Sequence, residues 1–222
     1  MITQTDIVNV LQKLSISRPA FCSEADFQLA LAWELKKYLG QKQCCTYEVF
    51  IESRFEIDCK GCYVDICLES KDEIYLIELK YKTICETVVV SSILGEKYTL
   101  REQAANDLGR YGYLKDIHRI ENILENSPKN IRKGFAIILT NDQKYYQEPT
   151  TPLKTIDRTF RIHERGTSLN PFVNSIEWTI QNATPKWIKN YPPFVIQRIP
   201  SFNWHTYNIQ EDSTFRYMIT EI

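Results

Sequence analysis

The fold is decided by the stretch Tyr63-Val-Asp-Ile-Cys-Leu-Glu-Ser-Lys-Asp-Glu-Ile-Tyr-Leu-Ile-Glu-Leu-Lys80. Two runs rich in β-branched and aromatic residues flank a short polar segment, Ser70-Lys-Asp-Glu73, and this pattern predicts an antiparallel hairpin. With the turn in that segment, one apolar face is formed by the cross-strand pairs Leu68 with Tyr75, Ile66 with Ile77 and Val64 with Leu79. A slip by a single residue would bury the charged side chains instead, so the core fixes the register.

The same register places acidic and basic side chains together on the other face of the hairpin. Asp65 is predicted to lie opposite Glu78, with Cβ atoms roughly 5 Å apart, and Lys80 lies diagonally at about 7 Å. Two carboxylates this close repel each other unless a cation lies between them. Because magnesium prefers oxygen ligands, we expect Asp65, Glu78 and the backbone carbonyl of Leu79 to bind it. Lys80 would orient an attacking hydroxide and stabilise the transition state. The alternative is a set of cross-strand ion pairs on an exposed strand face.

Further elements surround the hairpin on both sides. Apolar positions at helical spacing predict a helix over residues 24–39, with Ser23 as N-cap and Gly40 as the stop. A third strand precedes the hairpin, a long helical pattern follows it, and a continuous apolar run then indicates a buried strand reached by a crossover. The predicted ranges are strands 46–56, 63–69 and 73–82, helix 97–125 and strand 134–140, in the order α-β-β-β-α-β.

Asp65, the spacer and Glu78-Leu79-Lys80 at the end of an apolar strand, in this order of elements, resemble the PD-(D/E)xK nuclease superfamily. The resemblance covers about residues 20–140. It implies an α/β (α+β) fold with a restriction-endonuclease-like αβββαβ core, in which a central mixed β-sheet is flanked by helices. It also implies cleavage of nucleic acid, usually DNA, that depends on Mg²⁺ or Mn²⁺. The proline that the family places before the aspartate is absent, since Tyr63-Val64 stands there.

The resemblance points to two helper residues as well. Members often supply a glutamate from the first helix, and here Glu24 is preferred over Glu34 because it stands at the helix start. The alternative for Glu24 is a first-turn acid that complements the helix dipole. Related nucleases often place a glutamine near the start of the second helix to hold a water or the phosphate, which makes Gln103 a further candidate; its alternative is a solvated helix residue.

Basic residues near these elements are candidate contacts to the DNA backbone. Lys82 shares the face of Lys80, the second helix carries a mild basic bias, and a polar loop after residue 142 holds three more arginines. Each of these charges is also typical of ordinary solvated surface. The predicted contacts are Lys82, Arg101, Arg110, Arg158, Arg161 and Arg165.

The length and composition favour one domain with an elaboration. The chain has 222 residues, 43% of them hydrophobic, which is enough for one substantial core. We expect residues 1–141 to form the nuclease-like core with N-terminal helices. Residues 142–222 would form an irregular insertion and a β-rich C-terminal extension, dense in aromatics, on the same domain. With 27 Lys and Arg against 28 Asp and Glu, the protein as a whole is not a cationic coat for nucleic acid.

The cysteines and the absence of long apolar runs bear on the compartment. No run approaches the roughly 20 apolar residues of a membrane span, and the N-terminus does not follow the pattern of a signal peptide. The seven cysteines all lie at or before Cys85, which suits a reducing, cytoplasmic location. A rival interpretation is a zinc site in which Cys59-Lys-Gly-Cys62 joins Cys44-Cys45.

Together these patterns predict a cytoplasmic Mg²⁺-dependent DNA nuclease, an endonuclease of restriction or defence type. A homodimer is compatible with this activity, because cutting both strands with a single kind of site takes two active centres. Two alternatives remain open: a catalytically inactive nucleic-acid-binding or assembly protein on the same fold, and a zinc-stabilised interaction module.

Overall fold

A computed structural model describes residues 1–42, 46–57, 60–127, 130–150, 155–164, 173–179, 185–211 and 213–222. The helices in these ranges are α1 Gln4–Ser17, α2 Glu24–Gln41, α3 Asn106–Asn126, α4 Gln143–Tyr146 and α5 Pro185–Asn190. The strands are β1 Glu48–Ile57, β2 Lys60–Glu69, β3 Ile74–Lys82, β4 Thr87–Ser91, β5 Glu96–Thr99, β6 Ile131–Thr140, β7 Ser175–Ile176, β8 Phe194–Val195, β9 His205–Ile209 and β10 Thr214–Glu221.

A six-stranded sheet in the order β1-β2-β3-β6-β10-β9 forms the centre of the molecule. Strands β3 and β6 run parallel, whereas β1 with β2, β2 with β3, β6 with β10 and β9 with β10 are antiparallel. The chain passes from β3 to β6 through α3, which packs against both strands. The expectation of a central mixed sheet flanked by helices is confirmed.

The two faces of the sheet bury different clusters. On one face, α1 and α2 pack with Ile77, Leu79 and Tyr81 of β3. On the other face, α3 packs with Ile138 of β6 and with aromatic residues of the C-terminal third, including Trp178 and Trp204. Strand β3 is therefore buried on both sides, and its even-numbered residues face α3. Charged residues at even positions of β3 thus lie beneath a helix rather than in solvent.

The register of the central hairpin is the predicted one near the turn and departs from it farther away. Ile66 pairs with Ile77 and Leu68 with Tyr75, as the alternation predicts, but the ladder ends at Ile66–Ile77. Val64 packs with Leu76 on the α3 face, opposite to Ile66, so the predicted pair of Val64 with Leu79 is wrong. The side-chain alternation of β2 is broken at Asp65.

The break at Asp65 has a local cause in the neighbouring strand and helix. Asp65 has no ladder partner in β1, where the position opposite is Glu52, a non-glycine residue with φ of 52°. Nε2 of Gln28 in α2 donates to the carbonyl oxygen of Asp65 at 2.7 Å and to the Glu52 carboxylate at 3.0 Å. The helix thus satisfies a backbone group that a regular ladder would have paired.

The helix predicted over residues 97–125 begins later than expected. The hairpin of β4 and β5 occupies residues 87–99, where β-branched residues favour strand, and α3 starts only at Asn106. Ala105 has φ of 68° and ends the segment before the helix. Leu100 packs in the α1 and α2 cluster instead of on α3.

At the other edge of the sheet, β10 pairs with β6 and β9 pairs with β10, so the end of the chain adds two strands to the sheet.

Helix α1 begins with a capping box between Thr3 and Asp6. None of the helices in the described ranges is long and apolar enough to span a membrane.

Candidate active site

The site begins where β2 and β3 separate. Oδ2 of Asp65 accepts a hydrogen bond from the backbone N–H of Leu79 at 2.6 Å, and Oε2 of Glu24 accepts one from the N–H of Tyr81 at 2.7 Å. Beyond Ile77, where β2 no longer pairs with β3, these two carboxylates accept the hydrogen bonds that a neighbouring strand would otherwise accept from β3. Glu24 reaches this position because it is the first residue of α2, after the N-cap Ser23.

On the α3 face, four charged side chains form a continuous network, which we call the charged network: Glu78, Arg119, Asp116 and Lys80. Nη1 of Arg119 lies 2.5 Å from Oε1 of Glu78, and its Nη2 lies 2.9 Å from Oδ1 of Asp116. Nζ of Lys80 lies 2.7 Å from Oδ2 of Asp116. Arg119 also donates to the carbonyl of Tyr63 at 3.2 Å, which ties β2 to α3 at the level of Asp65.

Burial shifts the pKa values of the groups in the charged network. Burial and the neighbouring Asp116 carboxylate raise the pKa of Glu78 to about 9. Burial also raises the pKa of Asp116, against the opposing effect of Lys80. For Lys80, burial favours the neutral form, but the carboxylates of Asp116, Glu24 and Glu78 together outweigh burial, and the pKa of Lys80 is raised. Lys80 is therefore a cation at neutral pH.

The predicted residues Asp65, Glu78, Lys80 and Glu24 thus meet around residues 78–81 of β3. Their arrangement differs from the one expected: Asp65 and Glu78 are not cross-strand partners, since the ladder stops before them. Asp65 points at a β3 amide in the sheet, while Glu78 points into the α3 interface. The backbone carbonyl of Leu79 lies 3.4 Å from Nζ of Lys80.

Sequence reasoning missed Asp116 and Arg119. Both lie on α3 beside the buried stripe of Tyr113, Ile117 and Ile120, and Asp116 is only 2% exposed. The available signal is that Asp116 lies within one helical turn of several apolar positions, which indicates that it is buried. A buried carboxylate needs a partner, and Arg119 is a cation within reach on the same helix.

Gln103 lies before α3 and not on it, which corrects its predicted placement. Its Oε1 accepts a hydrogen bond from Nζ of Lys82 at 3.1 Å, and its N–H donates to the carbonyl of Thr83 at 2.9 Å. Gln103 and Lys82 therefore form a polar pair at the carboxyl end of β3, next to Lys80.

The predicted DNA-contacting arginines fall in different places. Arg101 is exposed and Arg158 is partly buried, whereas Arg165 lies outside the described residues. The expectation for Arg110 as a surface contact is wrong, since it is 2% exposed and pairs with Asp157 at 2.5 Å. Arg161 also pairs with Asp157, at 3.4 Å.

Among the described residues, neither the predicted zinc site nor Glu34, the other candidate glutamate, forms part of the cluster. Of the predicted zinc ligands, Cys44, Cys45 and Cys59 lie outside the described residues. Cys62 is a free, partly buried thiol, and burial raises its pKa. Glu34 is buried against Lys13 and Lys37, so it holds α1 to α2 rather than serving the site. Within the described ranges, no three His, Cys, Asp or Glu side chains are grouped as a metal site.

These observations define a mixed α+β protein with a buried acid–base cluster at the point where two strands of its sheet separate. No protein-family model, curated protein or solved structure matches the chain.

Proposed function

We propose that this protein is a Mg²⁺- or Mn²⁺-dependent DNA nuclease built on a restriction-endonuclease-like core. The observation that carries the proposal is the meeting of Asp65, Glu78, Lys80 and Glu24 around four consecutive residues of one buried strand. Carboxylates grouped beside a buried lysine are the side chains that metal-assisted phosphodiester hydrolysis uses. The proposal takes the enzyme to be a cytoplasmic endonuclease of restriction or defence type.

The donors fit a hard divalent cation in type and in charge. Four carboxyl groups, those of Glu24, Asp65, Glu78 and Asp116, face two cations, Lys80 and Arg119. With all four ionised they would leave an excess of two negative charges, and because the raised pKa of Glu78 keeps that group protonated without metal, a divalent cation bound here would displace its proton. Asp65 and Glu78 each use one oxygen in the bonds described above, and an ionised carboxylate can accept further ligands through the other oxygen. Asp65, Glu78 and the carbonyl of Leu79 would hold the ion. It would polarise the phosphate and lower the pKa of a bound water.

The remaining residues act on the substrate directly or hold the residues that do. Lys80, kept protonated by Asp116, donates to the scissile phosphate and stabilises the negative charge that develops there. Glu24 holds the N–H of Tyr81 and so fixes the end of β3 next to Lys80. The pair of Lys82 and Gln103 offers hydrogen-bond donors to the neighbouring phosphate of the DNA strand.

A second candidate function follows from a specific observation. Each carboxylate of the cluster already has a protein partner: Glu78 has Arg119, Asp116 has Lys80, and Asp65 and Glu24 have backbone amides. The cluster can therefore hold β2, β3, α2 and α3 together without a metal. This favours a non-catalytic nucleic-acid-binding or assembly protein as the alternative.

The experiment that separates the two functions is cleavage of supercoiled and linear DNA with Mg²⁺, Mn²⁺ or EDTA. The wild type, Glu78→Gln and Lys80→Gln are compared with the matched control Glu69→Gln, an exposed residue at the end of β2. The nuclease predicts cutting that requires metal, is lost in both site variants and is kept in the control. Folded protein that neither cuts DNA nor binds Mn²⁺ by calorimetry would overturn the nuclease, and DNA binding by that protein without cleavage would then support the alternative.

A further inference from the structure

Arg119 of α3 joins the two strands of the site where they no longer pair. Its Nη1 donates to Oε1 of Glu78 on β3 at 2.5 Å and to the backbone carbonyl of Tyr63 on β2 at 3.2 Å. Its Nη2 donates to Oδ1 of Asp116 at 2.9 Å. The ladder between β2 and β3 ends before the level of Tyr63 and Glu78, so the guanidinium bridges the gap that opens there.

The guanidinium also contacts or faces the acidic side chains that the proposed metal ion would need. Burial opposes its charge, but the neighbouring carboxylates of Glu78, Asp116 and Asp65 outweigh burial and raise the pKa of the arginine. Both proposed carboxylate ligands, Asp65 and Glu78, therefore act on this one cation. Within the described ranges no three His, Cys, Asp or Glu side chains are grouped as a metal site, and Arg119 is the side chain that bridges Glu78 and Asp116.

A guanidinium and a divalent ion oppose each other at this position. The ion would bind the same Glu78 carboxylate that Arg119 contacts, so the two cations would lie within a few ångströms of each other. Binding adds two positive charges and removes at most one proton from Glu78. The positive charge beside Arg119 therefore rises whether or not Glu78 is protonated beforehand, and charges this close repel each other strongly at partly buried positions.

Arg119 is the partner in these contacts that is free to move. Its side chain is 28% exposed, whereas those of Glu78 and Asp116 are 1% and 2% exposed. Asp116 keeps its bond of 2.7 Å to Lys80 when the arginine leaves, so the acidic side of the network stays in place. A long arginine side chain can reach solvent by rotation about its own bonds, without a shift of α3.

Once released, the guanidinium is close to the position proposed for the phosphate. Lys80, which donates to the scissile phosphate under the proposed function, contacts the same Asp116 carboxylate as Arg119 does. Arginine binds phosphate oxygens through two parallel charge-assisted hydrogen bonds. Arg119 and Lys80 can therefore contact the DNA backbone from neighbouring positions.

We propose that Arg119 is an internal substitute for the metal ion: it holds Glu78 until the ion binds, and it is then released to bind a phosphate of the DNA strand. This inference rests on the proposed nuclease function and adds to it a residue that opposes the metal and assists the substrate. It also accounts for a stable carboxylate-rich site without the ion, because Arg119 supplies the positive charge and the hydrogen bonds that buried carboxyl groups require.

The test is calorimetry of the full chain with Mn²⁺, comparing the wild type with Arg119→Gln. Removal of the opposing cation is expected to tighten Mn²⁺ binding about tenfold or more. A purely structural Arg119 predicts the opposite sign, because the loss of its bonds would loosen Glu78 and weaken Mn²⁺ binding. Arg119→Lys keeps the charge and should bind Mn²⁺ within about threefold of the wild type. Arg132→Gln is the matched control, since Arg132 is exposed at the amino end of β6, and it should bind Mn²⁺ like the wild type.

The contact to phosphate has a separate kinetic measurement. At saturating Mn²⁺, Arg119→Gln is expected to raise the KM for DNA about tenfold or more, because it removes a charge-assisted contact to the backbone. Arg132→Gln should leave this KM unchanged. Tighter metal binding and weaker DNA binding in one variant are the combined result that the proposal requires.

A measurement on the wild type covers the case in which Arg119→Gln does not fold, as judged by circular dichroism. The Nε–H signal of Arg119 is followed by NMR during titration with Mg²⁺, and it should shift and exchange faster with water as the ion binds. Wild-type protein that binds no Mn²⁺ overturns this inference together with the nuclease. If the wild type cuts DNA with metal, any of four results overturns this inference alone: unchanged or weaker Mn²⁺ binding in folded Arg119→Gln, equally tightened binding in Arg119→Lys, an unchanged KM, or an Arg119 signal that Mg²⁺ does not alter.

Discussion

Lys80 of β3 and Asp116 of α3 form an ion pair of 2.7 Å beneath the helix, with side chains 20% and 2% exposed. The pair joins the strand that carries Glu78 to the helix that carries Arg119, so the acid–base cluster and the packing of α3 on the sheet depend on each other. Stability should therefore respond to changes at these positions, and under the proposed nuclease function DNA cleavage should respond with it.

Asp116→Asn is expected to lower the free energy of unfolding by about 3–5 kcal/mol, because it leaves Lys80 and Arg119 without their shared carboxylate. Urea denaturation followed by circular dichroism measures the change. Glu56→Gln, which removes an exposed pair with Arg54, is the control and should cost less than about 1 kcal/mol. Equal stability of the two variants would show that the buried network contributes nothing to the fold.

The raised pKa of Glu78 predicts the direction in which pH alters stability when metal is absent. Between its ordinary value of 4.5 and about 9, Glu78 holds more proton in the folded chain than in the unfolded chain. The free energy of unfolding contributed by this group is therefore fully present below 4.5 and falls as pH rises toward 9. The raised pKa of Asp116 acts in the same direction.

Glu78→Gln mimics the protonated form and should flatten this dependence. In EDTA, the difference in unfolding free energy between Glu78→Gln and the wild type is expected to grow in favour of the variant from pH 6 to pH 9. Denaturation at several pH values measures it, with Glu69→Gln as a control that leaves the slope unchanged. A constant difference across this range contradicts the assignment of a buried, proton-holding Glu78.

The hydrogen bonds of Asp65 and Glu24 to β3 predict selective changes in amide exchange. Asp65→Ala should speed exchange at Leu79, and Glu24→Ala should speed it at Tyr81, because each removes the acceptor of that N–H. A bond to a charged group contributes about 1.5–3 kcal/mol, which corresponds to roughly 10- to 100-fold faster exchange by local opening. Residue-resolved hydrogen exchange by NMR measures both amides. Each variant serves as the control for the other, and equal acceleration at both amides would indicate a general loosening of β3 instead.

The part of the hairpin that the sequence predicts is the part whose geometry depends on apolar alternation. Ile66 with Ile77 and Leu68 with Tyr75 follow from burying one face, and the structure pairs them so. The alternation contains no information about Gln28, which lies 37 positions before Asp65 and bonds to its carbonyl. That tertiary contact and the positive φ of Glu52 redirect Asp65 into the sheet.

The sequence does not predict the whole charged network, because two of its four residues lie on α3 and local periodicity does not determine how that helix packs on the sheet. Glu78 and Lys80 are recognisable because of their place at the end of an apolar strand, but their partners depend on how α3 docks. Asp116 and Arg119 meet them because α3 packs against β3 and β6. Local periodicity therefore predicts the strand side of the cluster and misses the helix side.

The packing of α3 on β6 is tight at Gly134, and this predicts opposite effects for two glycine substitutions. A Cβ at Gly134 would lie 2.1 Å from Cγ2 of Ile120, so Gly134→Ala must push the helix away from the strand. We expect a loss of about 1–3 kcal/mol of unfolding free energy, as in other overpacked cores. A Cβ at Gly40 of α2 would meet no atom within 4 Å, and Gly40→Ala should gain up to about 1 kcal/mol from helix propensity. Thermal and urea denaturation of both variants check these signs. A Gly134→Ala protein as stable as the wild type would mean that α3 can shift from β6 without cost, and the distances within the charged network would then not be fixed by this contact.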